Sequence, residues 1–409
     1  MATNLQKEFS LANADDLFKT KFLKYYENTY NTANPTMNRV RKDNGFVGKK
    51  LEFPVPTSYK GGIGSGSLPE TKNATYSDVV ILSKKVYATD RVDRETIMAS
   101  MSSEGAFVKA IAECIKKTVE ADTWNHSRIL FGNGDGSLGT LKASAAVTDN
   151  TGGNYSVIVG EAASTFKEAN FEENMFVNFA SNTELFEIQS VTPSTRVIVV
   201  QRQAGGSYVP AVSNVVYLQG SKDNDPHGLR NILDATAGTL YTVPVSRKWQ
   251  AFQEDVTTGI TTDLMNKVMT RIDRRVGVAP NLITTSFAQY EKILNLMEDD
   301  KRYSLATSAP KGYENVKGVL GFSGVQFMSS RGSIEIYPDK FVEDDRMYFL
   351  NTDHLVSHRR PNSGWVKEDI GGNGYLRVAD EDQFEARLAT YCNNFIAPTF
   401  HGRIKGLTV

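Results

Sequence analysis

Four glycines and two serines crowd the dozen residues "YKGGIGSGSLPE" at positions 59–70. A loop of that kind is the first place to look for phosphate chemistry. A phosphate-binding loop needs Gly-Lys-Ser/Thr opening a helix, so that backbone N–H groups and the helix N-terminus face the anion. Here Ser67-Leu68-Pro69 follows, and then an extended segment. A dinucleotide fingerprint needs a buried strand before the glycines and a helix after them, and both are missing. The second glycine cluster, "GNGDG" at 132–136, ends a helical pattern and starts none. Neither loop cradles a phosphate on these grounds.

The five histidines are His126, His227, His354, His358 and His401. His354 and His358 stand four apart and would share one face of a helix, as metal ligands require. The surrounding "MYFLNTDHLVSHRRP" reads as a strand instead, with no HExxH motif and no Cys/His cluster. Asp353 and His354 are adjacent, and adjacent side chains on a strand point to opposite faces. Structural histidines, no metal and no cofactor are expected. There is no nucleophile elbow, paired-cysteine motif or kinase signature. Glu298, Asp299 and Asp300 read as a solvated turn just past a helix. Arg271, Arg274 and Arg275 sit near a helix C-terminus, where cations are favoured. The two cysteines, Cys114 and Cys392, lie far apart, which suits buried thiols in a reducing compartment. Catalysis is not expected; an enzyme of the hydrolase or metal-dependent class is the rival from a different class.

The totals exclude several classes. The chain has 409 residues, 46 basic and 47 acidic, for a net charge of -1. A protein that holds nucleic acid by bulk charge would carry a basic surplus. The longest aliphatic runs, such as Val79 to Leu82, fall far short of the ~20 residues of a membrane helix. The opening "MATNLQKEFSLANADD" has no apolar signal core and carries acids, so a secretory or transit peptide does not fit.

The elements that would position these residues fall into blocks. In 1–45, Phe18, Phe22, Tyr26 and Tyr30 recur every fourth residue and form one helical stripe. That stripe suits a helix packed on its own domain or an arm laid on a neighbour. Residues 46–92 read as a long hairpin, out along "FVGKKLEFPVPTSY" and back along "TYSDVVILSKKVYATDRV", with Tyr59, Lys60, Gly61, Gly62, Gly64 and Gly66 at the tip. Pro54 and Pro56 cannot donate to a ladder, so the outgoing strand is an edge. Residues 104–131 form the longest helical pattern, with Phe107, Ile111, Ile115 and Val119 in step. Residues 140–222 turn to short strands, a small sandwich or barrel inserted in the chain. Beyond it, 248–277 reads as a helix. "NLITT" reads as a strand running into a helix with a Ser286/Gln289 capping box. The end, "DQFEARLATYCNNFIAPTFHGRIKGL", reads as two extended segments broken near Pro398.

The outgoing arm of the hairpin, fourteen residues at ~3.3 Å each, would reach ~45 Å. A compact core of a couple of hundred residues has a radius of gyration of only ~17 Å. The hairpin must lie along its own domain or project past it, and a lone two-stranded ribbon is marginal in water. A projecting ribbon would bury a face on another chain, its glycine tip adjusting to the partner surface; a partnerless surface loop is the other reading.

This order of parts resembles the major capsid proteins of tailed bacteriophages, the Hong Kong 97-like fold. The resemblance rests on the N-terminal stripe, the glycine-tipped hairpin and the run "VYATDRVDRETIMASMSSEGAFVKAIAECIKKTVEAD". It also draws on "PNLITTSFAQYEKIL" and the closing "QFEARLATYCNNFIAPTFHGRIKGL". It implies an α+β capsid fold with an N-terminal arm (1–45), an extended loop (46–92) and a peripheral domain with a spine helix (93–139 and 380–409). An inserted all-β domain (140–222) and an axial domain (223–379) complete it. The implied function is self-assembly into the hexamers and pentamers of an icosahedral double-stranded DNA capsid. Phe18, Phe22, Tyr26 and Tyr30 of the arm and the six hairpin-tip residues would touch other copies. The implied partners are further copies, a separate scaffolding protein, a portal protein, packaged DNA without sequence-specific contacts, and a decoration protein on the insert; no membrane is involved. Lys60 and Lys72 near the tip have no visible acid and asparagine acceptor, so cross-linking is not expected. The implied place is the virion, assembled in the host cytoplasm. A non-viral nanocompartment of the same fold is the nearest alternative, and a β-rich tail or adhesion protein a further one.

Overall fold

A computed structural model describes residues 35–58, 75–95, 118–300, 325–329, 332–361 and 381–409, apart from positions 145, 163, 164, 181 and 204. It also describes 63, 65–66, 364–365 and 375–378. Among these residues the chain is a mixture of helix and sheet built on three large apolar cores and a small fourth one of Val86, Ile129 and Cys392.

One sheet gathers around the long strand Gln383–Ile396. Lys84–Asp93 runs antiparallel to it for ten consecutive pairs, from Cys392 opposite Lys84 to Gln383 opposite Asp93. Leu355–Arg359 pairs with the other part of the same strand, and Arg41–Asp43 adds in parallel at the edge. The hairpin's expected return arm therefore divides. Tyr76–Leu82 pairs back on Lys50–Pro56, whereas Lys84–Asp93 leaves the hairpin for this sheet. Cross-strand charge fixes the register, with Arg91 Nε donating to Glu385 Oε2 at 2.9 Å across a directly opposed pair.

A second six-stranded sheet has the order Phe252–Asp255, Gly402–Lys405, Arg346–Leu350, Leu282–Thr285, Gly332–Pro338, Val325–Ser329. Its central strand, "RMYFL", is buried at every position. Side-chain alternation explains this. Met347 and Phe349 enter the core that includes Met265, Val268 and Ile272 of helix Thr262–Val276 and Ile293 of helix Phe287–Asp300. Tyr348 and Leu350 enter the opposite core. Met37, Val40 and Phe46 also lie in that core, so the end of the expected arm is embedded in the body.

Several expectations are corrected here. Residues 248–277 are not one helix. Phe252–Asp255 is a strand parallel to Gly402–Lys405, and the helix starts only at Thr262, capped by Thr261, whose side chain accepts from Leu264 N. Pairing with a distant strand overrode the helical pattern. The two closing segments belong to different sheets, because the turn at Pro398–Phe400 redirects the chain from one to the other. Residues 355–359, inside the 223–379 block, likewise pair with the long strand Gln383–Ile396. Glu298 to Asp300 lie within the last turn of helix Phe287–Asp300, not beyond it. The capping box is half made: Ser286 Oγ accepts from Gln289 N at 3.3 Å. The Gln289 amide turns away, donating to Asp344 O at 2.8 Å and Thr408 O at 3.0 Å.

Residues 137–218 form a seven-stranded antiparallel sheet with its own core. Val177 and Phe179, Phe186 and Ile188, and Ile198 and Val200 all alternate inward. A bridge between Leu141 and Val159, with Lys142 N donating to Ile158 O at 3.0 Å and Gly160 N to Thr140 O at 2.8 Å, ties the first strand to Asn154–Ile158. The sheet thereby closes into a barrel. Chain entry and exit lie side by side, since Asp223 N donates to Asp135 O at 2.8 Å. A Cβ on Gly136 would stand 2.1 Å from Ser221 O, at a φ of +83°. Glycine is required at that approach.

Candidate functional site

The ribbon Lys50–Pro56/Tyr76–Leu82 was expected to lack a partner surface on its own body, and that expectation is corrected. Val79 and Ile81 are fully buried, and Leu51, Phe53 and Val55 pack on the same core. Phe53 sets its ring edge-on to Phe395 at 5.0 Å. Val80 N donates to Tyr241 O at 3.0 Å, and Thr242 Oγ1 to Asp78 O at 2.7 Å. The aliphatics are few, but period-two alternation puts Leu51, Phe53, Val55, Val79 and Ile81 on one face. The outer edge carries Pro54 and Pro56 and pairs with no other described strand.

Past Pro56 the ribbon changes character. Its rungs become polar and exposed: Thr57 N to Thr75 O at 2.8 Å and Ser58 Oγ to Thr75 Oγ1 at 2.7 Å. Beyond them Ile63 is fully exposed. Gly66 takes a φ of +115° with nothing within 4 Å of a would-be Cβ. Tyr59, Lys60, Gly61, Gly62 and Gly64 lie outside the described residues, as do Phe18, Phe22, Tyr26, Tyr30, Lys72 and Cys114. Sequence reasoning missed a further set. Val47, Ile63, Tyr76, Leu82 and Tyr87 are all exposed apolar side chains on or beside the ribbon. For Tyr76 and Leu82 the signal was the outward register of the same alternation, which becomes legible only once the buried face is known; Val47, Ile63 and Tyr87 lie outside those two strands.

Only His354 and His401 meet among the histidines of the described residues, His401 Nε2 lying 3.4 Å from His354 O. His401 is buried, its Nδ1 accepting from Asn351 N at 3.1 Å, and burial pushes it down to about 4. His126 stands 3.6 Å from Asp122 and is likewise pushed down to about 4 by burial. His227 packs on Tyr241 at 4.9 Å and is also lowered to about 4, chiefly by burial. His354 stacks on Phe400 at 3.5 Å. His358 Nδ1 lies 2.8 Å from Asp43 Oδ2. Among the described residues, no group of three His, Cys, Asp or Glu is placed to hold a metal. Cys392 is buried, and burial pushes its thiol up to about 12, far from the thiolate a nucleophile needs.

The buried charges instead tie parts together. Glu343 Oε1 receives Lys167 Nζ of the barrel and Arg230 Nη1, each at 3.0 Å. Arg346 Nη1 lies 2.8 Å from Asp234 Oδ2, and Arg403 meets the same carboxylate. Arg128 Nη1 holds Asp225 Oδ2 at 2.8 Å where the chain leaves the barrel. No described helix is long and apolar enough to cross a membrane.

A ribbon rising from a two-sheet body, an embedded N-terminal segment and a long strand shared by several partners together define a class. The fold is that of the phage major capsid proteins. The chain is similar to the capsid protein in the asymmetric unit of Cyanophage A-1(L), at 13% identity and a TM-score of 0.54, over 97% of this chain and 98% of that one. It is also similar to the capsid of a native GTA particle, at 6% identity and a TM-score of 0.47 over 96% and 97% of the two chains. An encapsulin complex from Synechococcus elongatus is similar at 9% identity and a TM-score of 0.45, over 95% and 91%. No protein-family model matches the sequence, and no curated protein matches it.

Proposed function

We propose that this chain is the structural subunit of an icosahedral double-stranded DNA phage capsid and assembles into its hexamers and pentamers. One observation carries the reading: the correspondence with the Cyanophage A-1(L) capsid protein runs end to end, over 97% and 98% of the two chains. A shared catalytic or binding module would match only in part. The role is structural, with association by surface burial.

The exposed apolar side chains Val47, Ile63, Tyr76 and Leu82, with Tyr87 on the adjoining strand Lys84–Asp93, are suited to contacts with a neighbouring copy. The tip residues Tyr59, Lys60, Gly61, Gly62, Gly64 and Gly66 and the arm residues Phe18, Phe22, Tyr26 and Tyr30 would extend that contact. A stable contact buries ~1,600 Å², and small contacts to several neighbours become strong through multivalency. In this reading the sheet around Gln383–Ile396 serves as the peripheral domain and the sheet flanked by two helices as the axial one. The barrel is an inserted domain on the outer face, bracing neighbours or holding a decoration protein. A separate scaffolding protein, a portal protein and packaged DNA are the further partners, with assembly in the host cytoplasm.

The test is negative-stain electron microscopy of the expressed chain, with and without a candidate scaffold, beside sedimentation velocity. Closed shells are the expected outcome. A species that stays monomeric at high concentration under both conditions overturns the reading, and shells that enclose a co-expressed enzyme instead of DNA point to a nanocompartment.

A further inference from the structure

Along an antiparallel ladder hydrogen-bonded and open pairs alternate, so every second residue turns its backbone N–H and C=O away from the partner strand. In the ribbon Thr57 N donates to Thr75 O at 2.8 Å. That places the same kind of pair at Val55–Ser77, Phe53–Val79 and Leu51–Ile81. Asp78, Val80 and Leu82 therefore aim their backbone groups out of the inner edge, and the body takes them up. Thr242 Oγ1 donates to Asp78 O at 2.7 Å, Val80 N to Tyr241 O at 3.0 Å, and Asn393 Nδ2 to Leu82 O at 2.7 Å. Tyr241 and Thr242 meet this edge at φ values of +52° and +73°, a backbone that a β-branched residue rarely takes. On the outer edge the outward positions are Lys50, Glu52, Pro54 and Pro56, all exposed, and no other described strand pairs there. Lys50 and Glu52 form an ion pair with each other, and the two prolines have no N–H to give. A strand laid on this edge would find half the usual backbone donors, beside a pair of fixed charges.

We infer that Pro54 and Pro56 decide how the ribbon meets a second copy of this chain: they bar edge-to-edge strand addition and leave the contact to side chains. An exposed strand edge is a template for pairing with another chain, and prolines and charges are what blunt it. In strand addition the affinity comes from main-chain hydrogen bonds, which take little account of sequence. An open edge would therefore accept wrong segments as readily as right ones, whereas side-chain contacts can select one neighbour. The inference rests on the capsid reading only for the identity of that neighbour; closure of the edges belongs to the single chain.

The test compares Pro54→Thr/Pro56→Thr with Pro54→Lys/Pro56→Lys in the full-length chain. Threonine restores both outward N–H groups on a residue that favours strands. Lysine restores them as well, but adds charge to the edge. Thioflavin T fluorescence and sedimentation velocity are read at a concentration where the parent chain sediments as a monomer, and urea midpoints check that the variants fold like the parent. The threonine variant should raise the fluorescence at least about fivefold and sediment as a series of oligomers, and the lysine variant should match the parent. A threonine variant that stays monomeric with the parent's fluorescence overturns the inference. Equal rises in both variants overturn it too, since they would mark lost stability in place of an opened edge. The readout is taken on unassembled chains, so a parent that never forms shells would sink the capsid reading and leave this result standing.

Discussion

Lys167 Nζ and Glu343 Oε1 stand 3.0 Å apart, both side chains almost wholly buried, and they join the barrel to the body of the protein. Burial works against the Glu343 carboxylate, but the Lys167, Arg346 and Arg230 charges together hold it down to about 2. Glu343→Gln would take the anion from buried Lys167 and remove one of the carboxylates around Arg346, which keeps Asp234. A loss of about 3–5 kcal/mol is expected in a urea titration. Lys167→Met should cost less, because two arginines still face Glu343. The folded carboxyl lies below its unfolded value, so its contribution is present above the ordinary carboxylate range and disappears as pH falls toward 2. Equal urea midpoints for Glu343→Gln and the parent chain would remove this cluster as a stabilising tie.

Three histidines predict an acid sensitivity at higher pH. His126, His227 and His401 are all lowered to about 4, so they stay neutral in the fold while the unfolded chain takes up protons. Between pH 6.5 and 4 the unfolded state binds more protons, and stability must fall as pH falls through that window. Urea midpoints at successive pH values should decline across it. His401→Asn should flatten part of that decline; an unaltered slope would dismiss His401 as a contributor.

The ribbon yields a contrast between its base and its tip. Ile81 is fully buried, so Ile81→Ala should cost about 2–5 kcal/mol in the isolated subunit. Replacing 60–73 by a two-residue turn should leave the subunit's melting temperature nearly unchanged and abolish shell formation. Thermal melts and electron microscopy read the two effects separately. Unfolding on removal of the tip would mean that the tip is part of the subunit's own core.

Gly136 tests the neck of the barrel. With Ser221 O only 2.1 Å from a new Cβ, Gly136→Ala adds a backbone clash to the left-handed penalty of about 1–2 kcal/mol. Gly152, at a φ of +66° with open space around it, carries the penalty alone. Gly136→Ala should therefore destabilise more than Gly152→Ala in a thermal melt, and the reverse order would contradict the neck geometry.

Particular residues show where legibility ended. The strands at 154–202 were readable because Tyr155, Val157, Phe186, Ile188, Ile198 and Val200 recur at every second position in short β-branched and aromatic runs between turn residues. The strand and helix around Ser286 were readable for a similar local reason. Phe252–Asp255 was misread as helix because its partner, Gly402–Lys405, lies about 150 residues away. The ribbon's buried face was missed because Phe53 meets Phe395 and Val80 meets Tyr241. None of those partners is visible in a local window.

What the sequence determined by itself is local. It set which stretches alternate as strands, where glycine and proline interrupt them, how nearly the charges balance, and that no known catalytic motif is present. The tertiary structure alone decided which strand lies beside which, and that the ribbon's base is held by its own body. Period and propensity act over a few residues, whereas burial and charge convergence depend on chain segments that only folding brings together.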